Sequence, residues 1–206
     1  ANINVTGGTL EMLPSTGSGT DATSYSIHST APLWNFIVNR SGSTADVRLS
    51  TAVTVSGNLT LASGVLNANS NNLSVGGNFV LESGTSYTTG TNITSMNGSL
   101  AQVLTVNLAS PLSLSSFTVS KPAGVALTVS GTQATINVSS ALSIVTGTLN
   151  DGGKTINVSG NIFNSGIAAG AGRISVAGSS AQTINGAGTF TNIELEIGRA
   201  SCRERV

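Results

Sequence analysis

Six carboxylates precede residue 196: Glu11, Asp21, Asp46, Glu82, Asp151 and Glu194. Cleaving or eliminating a glycosidic bond takes a proton donor, a base and a means of neutralising charge, so a polysaccharide-degrading site would need several of these acids together, with Lys, Arg or His nearby. Their spacing does not bring them together. On a repeat of about 20 residues no two of the first five fall in register, and only Glu194 has a neighbouring acid within two positions, Glu196. No catalytic residue is therefore assigned, and the chain is expected not to be an enzyme.

Other chemistry-bearing residues read the same way. His28 is the sole histidine, set in the polar stretch Ser26-Ile-His-Ser29, and the partners a metal ligand requires are missing, so no metal is expected. Asp151-Gly-Gly-Lys154 has neither the Walker spacing nor the repeating Gly-Gly-x-Gly-x-Asp frame of a calcium repeat, and reads as a turn. No cofactor is implied. Arg40 and Lys121 each fall two residues after a strand-ending valine, in Phe36-Ile-Val-Asn-Arg40 and Phe117-Thr-Val-Ser-Lys121. Charges there are expected to guard an exposed strand end against pairing with another chain. The sharper alternative is a periodic basic spot for an anionic glycan. Trp34, with Tyr25 and Tyr87, could stack on sugar rings. Arg40, Lys121 and Trp34 are accordingly the candidate glycan contacts. Asn-x-Ser/Thr sequons such as Asn58-Leu-Thr60 follow from composition alone.

The elements that would carry these residues are read from internal repetition. Val53-Thr-Val-Ser-Gly-Asn-Leu-Thr-Leu-Ala-Ser-Gly64 matches Leu73-Ser-Val-Gly-Gly-Asn-Phe-Val-Leu-Glu-Ser-Gly84 at an offset of 20, with every apolar position kept. The pattern returns at Ile136-Asn-Val138, Leu142-Ser-Ile144 and Ile156-Asn-Val-Ser-Gly-Asn-Ile162. Gly98-Ser-Leu-Ala-Gln102 likewise recurs as Gly178-Ser-Ser-Ala-Gln182. A unit near 80 residues, holding about four coils, is thus laid over the short repeat. Apolar residues alternate in groups of two between Gly-Asn and Ser-Gly turns, the strand signature, and no 3.6-residue period is sustained.

Strands this short need stacked partners, so the fold is expected to be all-β: a β-solenoid, of the right-handed parallel β-helix kind, with coils of about 20 residues. Leu59, Leu61, Phe79 and Leu81 should point inward, as should Leu142, Ile144 and Ile162. Gly57-Asn58, Gly77-Asn78 and Gly160-Asn161 should mark a corner where stacked asparagines hydrogen-bond along the rod. The competing architecture is a tandem of β-sandwich modules, which gives no reason for a 20-residue self-similarity. Residues 1–195 read as one continuous solenoid with higher-order repeats at about 33–113 and 114–195.

Only 8% of residues are charged, the formal net charge is zero and 39% are hydrophobic, which excludes a disordered chain and a basic footprint for nucleic acid. No apolar run reaches the length of a membrane-spanning helix. The chain starts at Ala1 without a signal peptide, so truncation or processing is expected at that end, with any export signal upstream. Residues 196–206, Glu-Ile-Gly-Arg-Ala-Ser-Cys-Arg-Glu-Arg-Val, break with the rest: five of these eleven are charged. The segment resembles a translated sequencing-library adapter and is read as an artefact. Setting it aside removes Cys202, the one cysteine.

Val55-Ser-Gly-Asn-Leu-Thr-Leu-Ala-Ser-Gly-Val-Leu-Asn67, Val75-Gly-Gly-Asn78 and Gly178-Ser-Ser-Ala-Gln-Thr-Ile184 resemble the large secreted adhesin-like proteins of Bacteroidetes-type bacteria. They are more loosely similar to autotransporter passengers and filamentous haemagglutinins. The resemblance spans most of residues 1–195. It implies export, display at the cell surface, and an adhesive or spacing role; its partners would be adjacent coils of one longer chain and surface glycans or matrix polymers. It supplies no catalytic residue. Two alternatives stay open: a β-helix polysaccharide lyase or glycoside hydrolase, and an ice- or surface-binding solenoid, the latter suggested by Thr88, Thr89, Thr91 and Thr94.

Overall fold

The computed structural model describes residues 7–13, 24–41 and 46–195. Among them there is no helix, and every strand ladder is parallel. Parallel stacking of consecutive short strands is a β-solenoid, here of about 8 turns with roughly 22 residues per coil. At ~4.8 Å per coil the rod is about 38 Å long. The sandwich alternative is excluded, because its sheets are antiparallel.

Each coil contributes strands to three faces. Face one is a sheet of nine strands: Thr9–Met12, Asn35–Asn39, Leu59–Ser63, Phe79–Leu81, Gln102–Val106, Ala126–Ser130, Thr148–Asn150, Ile167–Ala169 and Thr189–Phe190. Face two begins as a separate four-stranded sheet, Tyr25–Ile27, Val47–Leu49, Val65–Asn67 and Ser86–Thr88. Face three starts with Val53–Val55, Leu73–Val75 and Ile93–Met96. In two coils the strands of faces two and three run together, and above these they separate again into Thr155–Val158 and Asn161–Asn164. Leu112–Ser120 and Thr135–Thr146 are long strands paired with each other, with a register shift between Leu114 and Ser116 that turns the corner.

Alternation sets what is buried. Leu59 pairs with Phe79 and Leu61 with Leu81, all inward, and Thr60 pairs with Val80 on the outer side. Leu142 likewise stacks on Ile162, as expected. Val53, Leu73 and their successors close the third wall of the same core, which runs as one cluster from Phe36 to Val176. Full burial of each such side chain stabilises the fold by about 1.5–3 kcal/mol.

The 20-residue offset is the true register where Val53–Leu61 meets Leu73–Leu81, and again where Thr135–Ile144 meets Thr155–Asn164. Elsewhere the turns vary: they lengthen where Phe36 stacks under Leu59, Phe79 under Leu104 and Leu127 under Leu149, and shorten where Ile156 stacks under Ile174. The longer repeat consequently does not fill a whole number of coils. Leu59 lies on face one, whereas its counterpart Leu142 lies on face three, one strand before the fourth coil above closes at Thr148–Asn150. The unit therefore spans about three and two-thirds turns, and successive copies are displaced by one face.

Candidate functional site: an uncharged cleft at the glycine-asparagine corner

The corner joining face three to face one is made by Ser56-Gly-Asn58 and, one coil on, by Gly76-Gly-Asn78. Asn35 Oδ1 accepts a hydrogen bond from the Asn58 backbone N–H (2.9 Å), Asn58 Oδ1 from that of Asn78 (2.8 Å), and Asn78 Oδ1 from that of Val103 (2.8 Å). The expected asparagine ladder is present at Asn58 and Asn78, but it runs from side chain to backbone rather than from amide to amide. It supplies acceptors where the chain turns out of its strand ladders. Gly160-Asn161 does not share this corner: it joins face two to face three, where Asn161 Oδ1 accepts from the Thr183 N–H (2.9 Å). The glycines are demanded by proximity: a Cβ on Gly57 would collide with the Trp34 carbonyl at 2.6 Å, and one on Gly77 with Asn58 Oδ1 at 2.6 Å.

Side chains are thereby removed from the corner, and a cleft of about 470 Å³ is left along it. Trp34, 40% exposed, stands at its lower end, and Ser99, Leu100 and Ala101 form the upper wall, with Leu100 77% exposed. A second cleft of about 280 Å³, lined by Gly7–Leu10 and Leu33–Asn35, also borders Trp34. None of the residues lining either cleft is charged.

The upper wall is held from inside. Gln102 is buried; its Nε2 donates to the carbonyls of Val75 (3.0 Å) and Gly77, and its Oε1 accepts from the Gly98 N–H (3.1 Å). Gln182 repeats the pattern with Val158, Gly160 and Gly178. The recurring Gly-Ser-x-Ala-Gln segment is thus a corner whose glutamine staples it to the coil below. The recurrence is visible in the sequence; the inward turn of the glutamine is not, since an amide in a polar stretch ordinarily faces water.

Arg40 and Lys121 overturn the expectation placed on them. Both are only 1% exposed, so they form neither strand-end guards nor a basic spot for glycan. The reason is stacking: each lies directly beneath a Ser-Gly or Thr-Gly corner, its backbone N–H donating to Ser63 and Thr146 respectively. Arg40 Cζ sits 4.2 Å from the centre of the Tyr25 ring, a cation–π contact. Lys121 Nζ donates to the carbonyls of Gly98 (2.5 Å) and Leu100 (2.5 Å) and to Gln102 Oε1 (2.6 Å). Burial pulls its pKa down to about 8. Of the three candidate glycan contacts, only Trp34 stands open to solvent.

The carboxylates are dispersed, and each of the five in the described residues bonds to an adjacent coil. Glu11 accepts from Asn39 (3.0 Å), Asp46 from Asn67 (2.6 Å), Glu82 from Asn107 (3.0 Å) and Asp151 from the Gly172 N–H (2.7 Å), while Glu194 pairs with Arg173 (2.6 Å). Burial alone would raise Asp46, but hydrogen bonds from Ser24, Asn67 and Arg48, with the Arg48 charge, hold it below its ordinary value. Asp21 and the segment 196–206 lie outside the described residues. No three His, Cys, Asp or Glu side chains gather among those described.

His28 is exposed. Asp151–Lys154 is a turn, in line with its sequence, closed by the Lys154 N–H donating to the Asp151 carbonyl (3.0 Å). Tyr87 is buried, its hydroxyl bonded to Thr94 (2.9 Å) and Asn92 (3.0 Å), and burial raises its pKa. With Thr94 also buried, the threonine cluster does not present one outward face.

Fold and site together define a parallel three-faced β-solenoid with an uncharged corner cleft. No family model matches the chain, and comparison with curated proteins and with solved structures returns no match.

Proposed function

We propose that this chain is a non-catalytic structural and adhesive module of a bacterial surface protein, displayed outside the cell. The observation that carries this reading is the use made of the carboxylates. A β-helix lyase or hydrolase needs acids free to exchange protons with substrate. Here the five described carboxylates lace one coil to the next. The uninterrupted core suits a rod that holds a ligand at a distance from its anchor. The resemblance of residues 55–67, 75–78 and 178–184 to secreted adhesin-like proteins points the same way.

The test is to incubate the purified chain with pectin, alginate and neutral polysaccharides, following product release and retention on the insoluble polymers. Retention without product is the expected result. Turnover lost on replacing Asp46 or Asp151 by Asn would replace this reading with a polysaccharide-degrading one.

A further inference from the structure

We infer that the cleft at the glycine-asparagine corner is a binding site for a neutral oligosaccharide chain, with Trp34 as its stacking platform; the inference rests on the adhesive reading above. Three features select this class of ligand. The first is Trp34, whose indole is 40% exposed and borders both clefts, leaving an aromatic surface at the junction of two concavities. Indole is amphipathic and stacks on the apolar face of a pyranose ring as it does on other flat groups.

The second is the asparagine ladder. The side-chain oxygens of Asn58 and Asn78 are used up in accepting backbone N–H groups, which fixes both amide planes. Their Nδ2 groups have no partner among the described residues, and both side chains are exposed. Fixed donors thus recur one coil apart, about 4.8 Å, along the wall of the cleft. Hydroxyls on successive rings of an extended sugar chain can accept from donors repeated in this way, and preorganised donors lose little freedom on binding.

The third is charge. The residues lining the clefts carry none, and Arg40 and Lys121, the cations first considered for uronate or sulfate groups, are turned inside. Burying an anionic sugar here would cost desolvation without a compensating partner. A neutral chain carries no such cost. From Trp34 to Ala101 the cleft crosses four coils, about 14 Å, which sets the ligand at a few rings.

Trp34 is the one tryptophan of the chain, so its fluorescence reports the site directly. The intact chain is titrated with β-1,4-linked neutral hexasaccharides (gluco-, xylo- and N-acetylglucosamine series) and with hexagalacturonate, reading tryptophan emission and calorimetric heat. The expected result is a saturable emission change with at least one neutral hexamer and none with the uronate. Trp34→Ala should abolish the heat, and Trp34→Phe should retain weakened binding. Ala101→Arg, which narrows the cleft from an exposed position, should lower affinity at least about tenfold, with far-ultraviolet circular dichroism unchanged in each variant. Equal or better binding of hexagalacturonate would overturn the neutral class. Retention of both intact chain and Trp34→Ala on insoluble polysaccharide would overturn the cleft while leaving the adhesive reading standing. Absence of any response and of any retention would overturn both.

Discussion

Nζ of Lys121 lies 2.6 Å from Oε1 of Gln102, so a cation from one coil completes the hydrogen bonding of an amide that already grips the coil below. Three coils are joined through this pair: Val75 and Gly77 accept from Gln102, and the loop from Gly98 to Leu100 hangs on Lys121. Because that loop is the upper wall of the cleft, a buried residue shapes the surface a ligand would meet.

The pair predicts a specific pH dependence. Lys121 releases its proton at about 8 in the folded chain, against about 10.4 for an unfolded lysine. Between these values the unfolded chain binds more protons, so stability rises with pH across that window. The neutral amine still has two N–H groups for its three acceptors. Lys121→Met should remove this rise and, with carbonyls left unsatisfied, lower the overall melting temperature. Thermal melts of both chains from pH 7 to 11 check it; parallel curves would show that Lys121 does not titrate in this range.

Glycines at the corners should differ sharply in tolerance. Gly160 stands against the Ser140 carbonyl, where a Cβ has no room, so Gly160→Ala must push its coil away from the one below. Gly84 has φ +77° and open space around its missing Cβ. Gly84→Ala should therefore cost only the left-handed backbone penalty of about 1–2 kcal/mol, and Gly160→Ala clearly more. Chemical denaturation of the two variants checks the order.

Much of the solenoid could be read from Val53–Gly84, because there the coil repeat and the strand register coincide at 20 residues. The inward leucines and the asparagine corner followed from that one stretch. What alternation could not disclose is which wall of the rod a strand joins. Phe36 and Phe117 stand in matching sequence yet lie on faces one and three, since turn lengths between them vary. Nor could it show that Arg40 and Lys121 turn inward. A basic residue after a strand reads as exposed, and only the corner stacked above each one closes it from water.

Acid should loosen the N-terminal coils through Asp46. Its folded pKa lies below the ordinary 3.8, so its contribution is present above that value and is lost as pH falls through the folded pKa. Asp46→Asn should lower the melting temperature modestly at pH 6 and leave little difference from the parent at pH 2. A gap that persists unchanged in acid would mean the carboxylate charge is not what Ser24, Asn67 and Arg48 recognise.

Damage at one coil should stay near that coil. Leu61 is fully buried between Val38 below and Leu81 above, and its neighbours are fixed mainly by the strands they touch. Leu61→Ala should cost about 2–5 kcal/mol through the cavity it leaves. Leu61→Asp should cost more, as it buries a carboxylate without a partner. In a stack whose units contact only their nearest neighbours, the loss propagates weakly along the axis. Hydrogen exchange on Leu61→Ala should therefore show lost protection from Asn35–Asn39 to Phe79–Leu81, with Thr155–Val158 close to the parent. Uniform loss along the whole rod would instead mark the eight turns as a single cooperative unit, held together by something stronger than contacts between neighbouring coils.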